Sequence, residues 1–494
     1  MRGEITLMKK AIKSIFAMLL ILCMVFTIVG CGEANTESTP NTDDDFFTDT
    51  VVDNAGQNNE DVASNDELSN HTNSDTMVGQ GSVSTKIPEA NKVGGKPWKE
   101  VLASMPKKLR GTSITVYNWN PANEYTGAPA VMDQFTQQTG IKVKWVTVPF
   151  DSYFTKIPAV IASGKNIPDV VRARGPLPEN MVTYQPLYTT NYDFSDEAWD
   201  KKILDLYTVD GISYAASLQN THIGAIDVMF YNKSLIDKYD LEDPYKLWKK
   251  GKWNWEKYID MCREYKTLSE SDAASCGEGW WWSYVSIFDI DSAIAFDGKK
   301  FYNNMGSKEF LTVHQELTKL YREERLFAFG QEPEFSKGMR LFSIGTSIHM
   351  RRKNSYFGSL KSEGVLYAVP MPARKGEKYV AGLSEAEAYA IANGAPNPEA
   401  VPYFLRYFLD GANYELSTYF CNEQNLEVYN YCMSQKNRKF VYIYPKAIGG
   451  SGVGDGPALM DQTSDQVKSY IDSKMGEVDK VVKEYNTIIK KIKK

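Results

Sequence analysis

The chain has 494 residues, a formal net charge of −6, 13% aromatic side chains and four histidines. That charge balance, without a basic stripe, excludes an electrostatic binder of nucleic acid, and the length suffices for two domains with cores of their own. Six cysteines in no zinc-binding spacing, with so few histidines, supply no donor set for metal chemistry.

Residues 1–30 read as an address and not as fold. Lys9, Lys10 and Lys13 precede an apolar run over 15–29, which is shorter than a membrane span and has the length of a signal-peptide core. The run ends in Ile28-Val29-Gly30-Cys31, the small-residue approach to a cysteine that is lipidated and becomes a new N-terminus. A plain secretory signal with an incidental cysteine is the alternative. Residues 31–95 follow as a tether. Between 32 and 90, 13 Asp and Glu stand against one lysine, Lys86, and aromatic residues are nearly absent. Such a segment buries too little apolar surface to offset its chain entropy, so a disordered, expanded spacer is expected. Setting both segments aside leaves a body within a few charges of neutrality, and charge names no ligand. Four cysteines belong to that body, Cys262, Cys276, Cys421 and Cys432. One or two disulfides and four buried thiols fit the spacing equally.

The body opens with a β-α-β-α-β pattern. Residues 113–119 alternate Ile114 and Val116 into an aromatic end. Residues 127–138 set Val131, Met132 and Phe135 on one helical face before Gly140. A second strand runs from Ile141 through Val146. Asp151 is placed as the cap of a helix carrying Phe154, Ile157, Val160 and Ile161 and closed by Gly164, and 167–171 form a third strand. Short connections between these elements indicate an open parallel sheet. Ligands of such sheets lie beyond the carboxyl ends of the strands. That rule directs attention to Asn118, Trp119, Asn120, Glu124 and Tyr125 after the first strand, and to Arg172 and Arg174 after the third.

Further on, Ile226, Val228 and Phe230 alternate like a half-buried strand. A helical turn over 234–239 follows, then a helix with Asn254 as N-cap and Tyr258, Ile259, Cys262 and Tyr265 on one face. Trp280, Trp281 and Trp282 are consecutive. Three such rings cannot all face a core from one element, so at least one is expected at a surface or cleft, where it would stack on an apolar ligand face.

In order along the chain, these stretches resemble the bacterial extracellular solute-binding proteins of family 1, the binding components of carbohydrate importers. The resemblance is carried by Tyr117-Asn118-Trp119-Asn120, Thr139-Gly140-Ile141-Lys142-Val143, residues 164–171, Tyr231-Asn232-Lys233 with Leu235, Trp253-Asn254-Trp255, residues 335–345, residues 367–372 and Asn397-Pro398-Glu399-Ala400. It implies an α/β, periplasmic-binding-protein-like fold of type II, with two α/β lobes joined by a hinge and a ligand cleft between them. Lobe 1 would comprise 96–225 and a return over 371–415; lobe 2 would comprise 226–370 and C-terminal helices over 416–494. Thr346, His349, Arg351 and Arg352 would then lie near the cleft, with Gly345-Thr346-Ser347 where the best-known sugar binders carry an aromatic residue. Glu385 and Glu387 would sit in a turn or strand beside it. The ligand contacts implied are Asn118, Trp119, Asn120, Glu124, Arg172, Arg174, Trp280, Trp281, Trp282, Thr346, His349 and Glu385.

The function implied is that of a monomeric, extracytoplasmic substrate-binding component of an ABC importer, anchored by lipid at Cys31. It would capture a carbohydrate, an oligosaccharide foremost, and deliver it to membrane permease subunits, with no cofactor, metal or nucleic acid. No G-x-S-x-G, Walker or dinucleotide motif points to an enzyme. Asp289, Asp291 and Asp297 miss the spacing of a calcium loop. A surface glycan-degrading lipoprotein and a sensor subunit are the alternatives. So is a binder of a non-sugar solute, since Arg172, Arg174, Arg351 and Arg352 would suit an anionic group.

Overall fold

The structure is a computed structural model. It describes residues 94–122, 128–219, 226–269, 276–288, 290, 292–329, 333–350, 357–377, 381–383, 387–411, 420–434, 440–442, 459 and 461–492. The signal segment, Cys31 and nearly all of the tether lie outside the described residues, as do Glu124, Tyr125, Asp289, Asp291, Arg351, Arg352 and Glu385.

Helix α1 (Trp98–Ala103) leads to strand β1 (Ser113–Asn118), α2 (Ala128–Thr139), β2 (Lys142–Thr147), α3 (Phe150–Ser163) and β3 (Val170–Ala173). Gly164 takes the left-handed conformation at the end of α3, φ 68°, which a residue without Cβ adopts at no cost. Asp151, expected as the cap of α3, lies in its first turn instead; Pro149 occupies the N-cap position without a side-chain bond. A short strand β4 (Ala215–Ala216) precedes the crossing to β5 (Asp227–Asn232). Asn232 ends β5 and caps helix α4 (Lys233–Lys238), its side chain accepting from the N–H groups of Ser234 and Leu235. Asn254 caps α5 (Trp255–Leu268) by accepting from the Lys257 N–H at 2.9 Å. That helix buries Tyr258, Ile259, Cys262 and Tyr265, the face read from the sequence, and Trp255 and Met261 besides.

Then come β6 (Gly277–Gly279), α6 (Trp281–Ser286), α7 (Lys308–Thr318), β7 (Phe327–Phe329), β8 (Phe342–Thr346), β9 (Leu366–Pro370), β10 (Ala381–Leu383) and β11 (Ala388–Ile391). Helices α8 (Val401–Gly411) and α9 (Glu423–Met433), strand β12 (Phe440–Tyr442) and helix α10 (Val467–Ile492) complete the chain.

Among the described residues ten of these strands form two five-stranded sheets, one in each lobe, and β10 pairs with β12 in parallel. The first has the order β2-β1-β3-β11-β4, with β1 parallel to β2 and β3, and β11 antiparallel to both its neighbours. Its core on one face joins Ile114, Val116, Phe135, Trp199, Tyr389 and Phe404. The second has the order β7-β6-β8-β5-β9, with β7 and β8 parallel to β6, and β8 and β9 antiparallel to β5. Every residue of β5 is buried. The expected half-buried strand is therefore a central one, covered on both faces. Its alternation came from the residue types alone, Asp227 and Asn232 being polar yet enclosed.

Helix α10 is hydrogen-bonded to the second lobe through Asn486, whose Oδ1 accepts from the Phe301 N–H at 2.8 Å and whose Nδ2 donates to the Phe301 carbonyl at 2.9 Å. Its far end reaches the first lobe, where the Tyr214 hydroxyl donates to the Ile492 carbonyl at 3.4 Å. Its buried residues Val467, Ile471, Val478, Tyr485 and Ile489 recur at steps of four and seven, a single helical stripe. Among the described residues no helix is long and apolar enough to cross a membrane.

His314 of α7 is fully enclosed, its ring stacked on Phe310 at 3.9 Å with Trp281 at 5.6 Å. Burial holds it neutral and lowers its pKa from 6.5 to about 4. The unfolded chain therefore takes up a proton that the native chain refuses. This stability is fully present above pH 6.5 and is lost as the pH falls toward 4. Urea unfolding at pH 7 and 4.5 should show about 2–3 kcal/mol of loss from this group. His314→Phe should remove that part of the pH dependence.

Candidate functional site

Parallel pairing brings the carboxyl ends of β1 and β3 to one edge of the first sheet. Asn118 ends β1 and is fully buried. Its Oδ1 accepts from the Asn120 N–H at 2.9 Å and from Arg172 Nη1 at 3.2 Å. Arg172, on β3, is the hub of this edge. Its guanidinium forms an ion pair with Glu387, with side chains 8% and 13% exposed, and lies 4.0 Å above the Trp119 ring. The Tyr153 hydroxyl, from α3, accepts from the Arg172 N–H at 2.9 Å and stands 3.0 Å from the Tyr117 carbonyl, locking helix to strands. Trp145 Nε1 donates to the Asn120 carbonyl at 3.0 Å. Arg174 lies over Phe150, 4.9 Å from its centroid.

Trp119 was expected as a stacking platform. The structure gives it different surroundings. Arg172 covers one face, and the first turn of α3 crowds the ring with Phe150, Tyr153 and Phe154 at 5.8, 5.0 and 5.7 Å. Such a cation–π contact is worth about 0.5–2 kcal/mol and fixes both groups. Trp119 thus holds Arg172 in place.

The second lobe has a matching edge. Strands β8 and β9 end where β5 begins, with Thr346 opposite Asp227 and Pro370 opposite Val228, and β6 runs parallel to β8 toward the same edge, Glu278 opposite Ser343. The chain turns there from β6 through Trp280 into α6. Trp280 and Trp282 are half-buried and stack on each other, 4.9 Å apart at 7°. Trp281 points the other way, into the core against His314, and is 2% exposed. Its assignment to the ligand is corrected accordingly: alternate residues at a helix start face apart, so one ring of three packs inside. His349 is also interior, 3% exposed, its ring facing Phe230 and Phe357 and its Nδ1 accepting the Thr346 N–H at 3.2 Å. It supports the turn after β8 from the interior. Asp227 is 2% exposed and hydrogen-bonds Ser283; burial pushes its carboxyl up to about 7. The buried Thr346 hydroxyl has no partner among the described residues.

Strand β10 lies against β5 and α6, and three residues stand between Leu383 at its end and Glu387. That much chain reaches about 14 Å at most. Glu387, the partner of Arg172, therefore lies within that reach of the strand packed against α6. Elsewhere, a shallow depression of ≈ 280 Å³ is lined by residues 251–254 and 373–377. Its Arg374 is turned to Glu316 and the Phe288 ring, and Trp253 Nε1 is satisfied by the Pro370 carbonyl. Among the described residues no buried polar side chain is left to meet a ligand there.

Sequence reasoning passed over Asp227, Ser283, Tyr153 and Glu387. Asp227 carried a signal, a lone carboxylate inside the apolar run Ile226 to Phe230. Glu387 was noted beside Glu385 but not chosen; only the antiparallel register of β11 on β3, with Tyr389 opposite Arg172, selects it. Asp297 closes a turn, its Oδ1 accepting from the Lys299 and Lys300 N–H groups at 2.9 and 2.8 Å. Glu387→Ala should leave a buried guanidinium without its counter-charge and cost about 3–5 kcal/mol of stability. A double change, Arg172→Met with Glu387→Met, should recover most of that in a chemical denaturation series.

The profile of the bacterial extracellular solute-binding protein family matches residues 118–328. No curated protein matches the chain in sequence. The fold is similar to that of the sugar-binding protein MalE from Xanthomonas citri, with a TM-score of 0.53 at 15% identity over 76% of this chain and 97% of that one. It is also similar to a cyclic alpha-maltosyl-1,6-maltose binding protein from Arthrobacter globiformis, with a TM-score of 0.52 at 13% identity over 77% and 98%. A solute-binding protein from Staphylococcus aureus, solved with maltose, gives 0.51 at 14% identity over 76% and 96%. The profile match thus runs from the end of β1 through β7, and over that stretch and in its fold of two α/β lobes the chain is similar to the bacterial extracellular solute-binding proteins.

Proposed function

We propose that this protein captures a neutral carbohydrate between its two lobes and delivers it to the membrane permease of an ABC importer, tethered outside the cell by lipid on Cys31. The observation that carries this reading is the pairing of unlike edges. On one side Arg172 is already neutralised by Glu387 and seated on Trp119. An anionic ligand would have to break that pair, so the arginine serves as a fixed hydrogen-bond donor and not as a charge trap. On the other side stand a half-buried tryptophan stack and an unpartnered Thr346 hydroxyl. Aromatic rings match the C–H faces of a sugar, and a buried hydroxyl left unpaired costs about 1–3 kcal/mol until a ligand satisfies it. Folds similar to this one include a protein described as binding a cyclic maltosyl-maltose and one solved with maltose, which agrees with the same class of cargo. Closure of the lobes is favoured only by contacts that the closed form makes with the ligand. Arg172, Trp280 and Trp282 are assigned that role, with Asn118 holding Arg172 in place.

A thermal-shift screen of the mature protein against mono- and oligosaccharides tests this. A cognate sugar at 100 times its Kd should stabilise the native state by about 2.7 kcal/mol. Trp282→Ala should weaken binding of that sugar by about 1–3 kcal/mol without lowering the melting temperature of the free protein to match. Stabilisation by amino acids, peptides or organic anions with none by any sugar would overturn the cargo. The anchor is tested separately: Cys31→Ser should abolish incorporation of labelled fatty acid and release the protein into the medium.

A further inference from the structure

Cys262 stands in the middle of α5, and Cys276 lies one residue before β6; neither is exposed to solvent at all. Both are free thiols in this structure, and they face each other where the Tyr258 hydroxyl, one helical turn before Cys262, lies against Gly277, the neighbour of Cys276. The surroundings are rigid. The Tyr258 and Tyr284 hydroxyls close the site, 3.2 Å from each other. The Cys276 N–H donates to the Leu326 carbonyl at 2.8 Å, and its own carbonyl accepts from the Leu341 and Phe342 N–H groups at 3.0 Å each. One cysteine is thus fixed by a helix and the other by the sheet. Cys421 and Cys432 are arranged differently. One precedes α9 and the other lies near its end, so the helical rise sets their Cα atoms about 15 Å apart, beyond the reach of about 7 Å that a disulfide allows. Cys421 Sγ accepts from Asn425 Nδ2 at 2.9 Å instead.

We propose that Cys262 and Cys276 form an intramolecular disulfide when the chain folds in oxidising surroundings, stapling α5 to the strand that presents Trp280. The expectation of such surroundings rests on the extracytoplasmic reading above; the geometry does not. The oxidant is a disulfide of another molecule. One cysteine thiolate attacks it, forms a mixed disulfide and releases one thiol. The second cysteine thiolate then attacks the mixed disulfide at its cysteine sulfur and releases the other thiol. Two cysteine thiols lose two electrons, the external disulfide gains them, and the two cysteine protons pass to the released thiolates. The exchange precedes completion of the core, because burial holds Cys276 as an inert thiol and shuts out the oxidant. Once formed, the bridge is shielded from reductants for the same reason. Because Cys276 lies only four residues before Trp280, the bridge also limits how far the tryptophan edge can shift relative to α5.

The test uses the mature protein in two samples: one as exported and purified without reductant, the other reduced, unfolded and refolded in reduced and oxidised glutathione. Each is then denatured and alkylated with iodoacetamide without reduction, and its peptides are weighed. The expected result is one cross-linked species joining the peptides of Cys262 and Cys276, with Cys421 and Cys432 alkylated. Reduction should lower the melting temperature by roughly 5 °C in the native chain and leave Cys262→Ala unchanged. A cross-link in the refolded sample alone still supports the bridge, and it counts against the extracytoplasmic reading instead. Full alkylation of both cysteines in both samples, or pairing of either with another cysteine, overturns the proposal.

Discussion

A buried guanidinium must be paired wherever the chain puts it, and Arg172 organises the first lobe around that requirement. Its backbone belongs to β3, its charge is met by Glu387 at the start of β11, and its plane is seated on Trp119 after β1. The Tyr153 hydroxyl then ties the same residue to α3. Four segments that are distant in sequence are thereby held at one edge. The chain that supplies Glu387 has just come from β10, against the second lobe. The charge pair that completes one side of the cleft is therefore delivered by a crossing from the other. A buried ion pair is weak evidence for stability, since desolvation consumes much of the Coulombic gain. Its value here is positional.

The second edge follows a different logic. Its buried ion pair, Glu278 of β6 with Arg340 at 2.9 Å, sits behind the edge. A carboxyl that burial keeps near neutrality, Asp227, bonds Ser283, while Trp280 and Trp282 stack at the start of α6. One edge thus supplies fixed donors already balanced in charge, and the other supplies aromatic surface with a polar floor. A neutral, hydroxyl-rich ligand with apolar faces is the chemistry common to both. The helix α10 contributes from outside: it is bonded to the second lobe at Phe301 and touches the first at Tyr214.

Much of the architecture was legible in the sequence. The periodicities of 113–171 gave strand, helix, strand, helix, strand in the order observed, since each element has one dominant apolar period. Gly164 and Asn254 marked a helix end and a helix start by their own local chemistry. The candidate site was less legible. Asn118, Arg172 and Trp119 were placed together by the strand-end rule, but the sequence cast Trp119 as a platform and the arginines as a possible anion trap. Trp281 and His349 were read as contacts and are packed inside. A ring near a cleft and a ring in a core have the same residue type, and only the packing of neighbouring elements distinguishes them.

The sequence by itself determined the order of elements, the α/β class and the strand ends where polar and aromatic residues accumulate, because period, caps and turns are local. The tertiary structure alone decided which groups meet. Glu387 reaches Arg172 through an antiparallel register across more than two hundred residues, Asp227 reaches Ser283 between a strand and a helix, and Cys262 reaches Cys276 from a helix to a sheet. Those pairings depend on crossings that return the chain to a sheet it had left, and no local preference encodes where such a return will land.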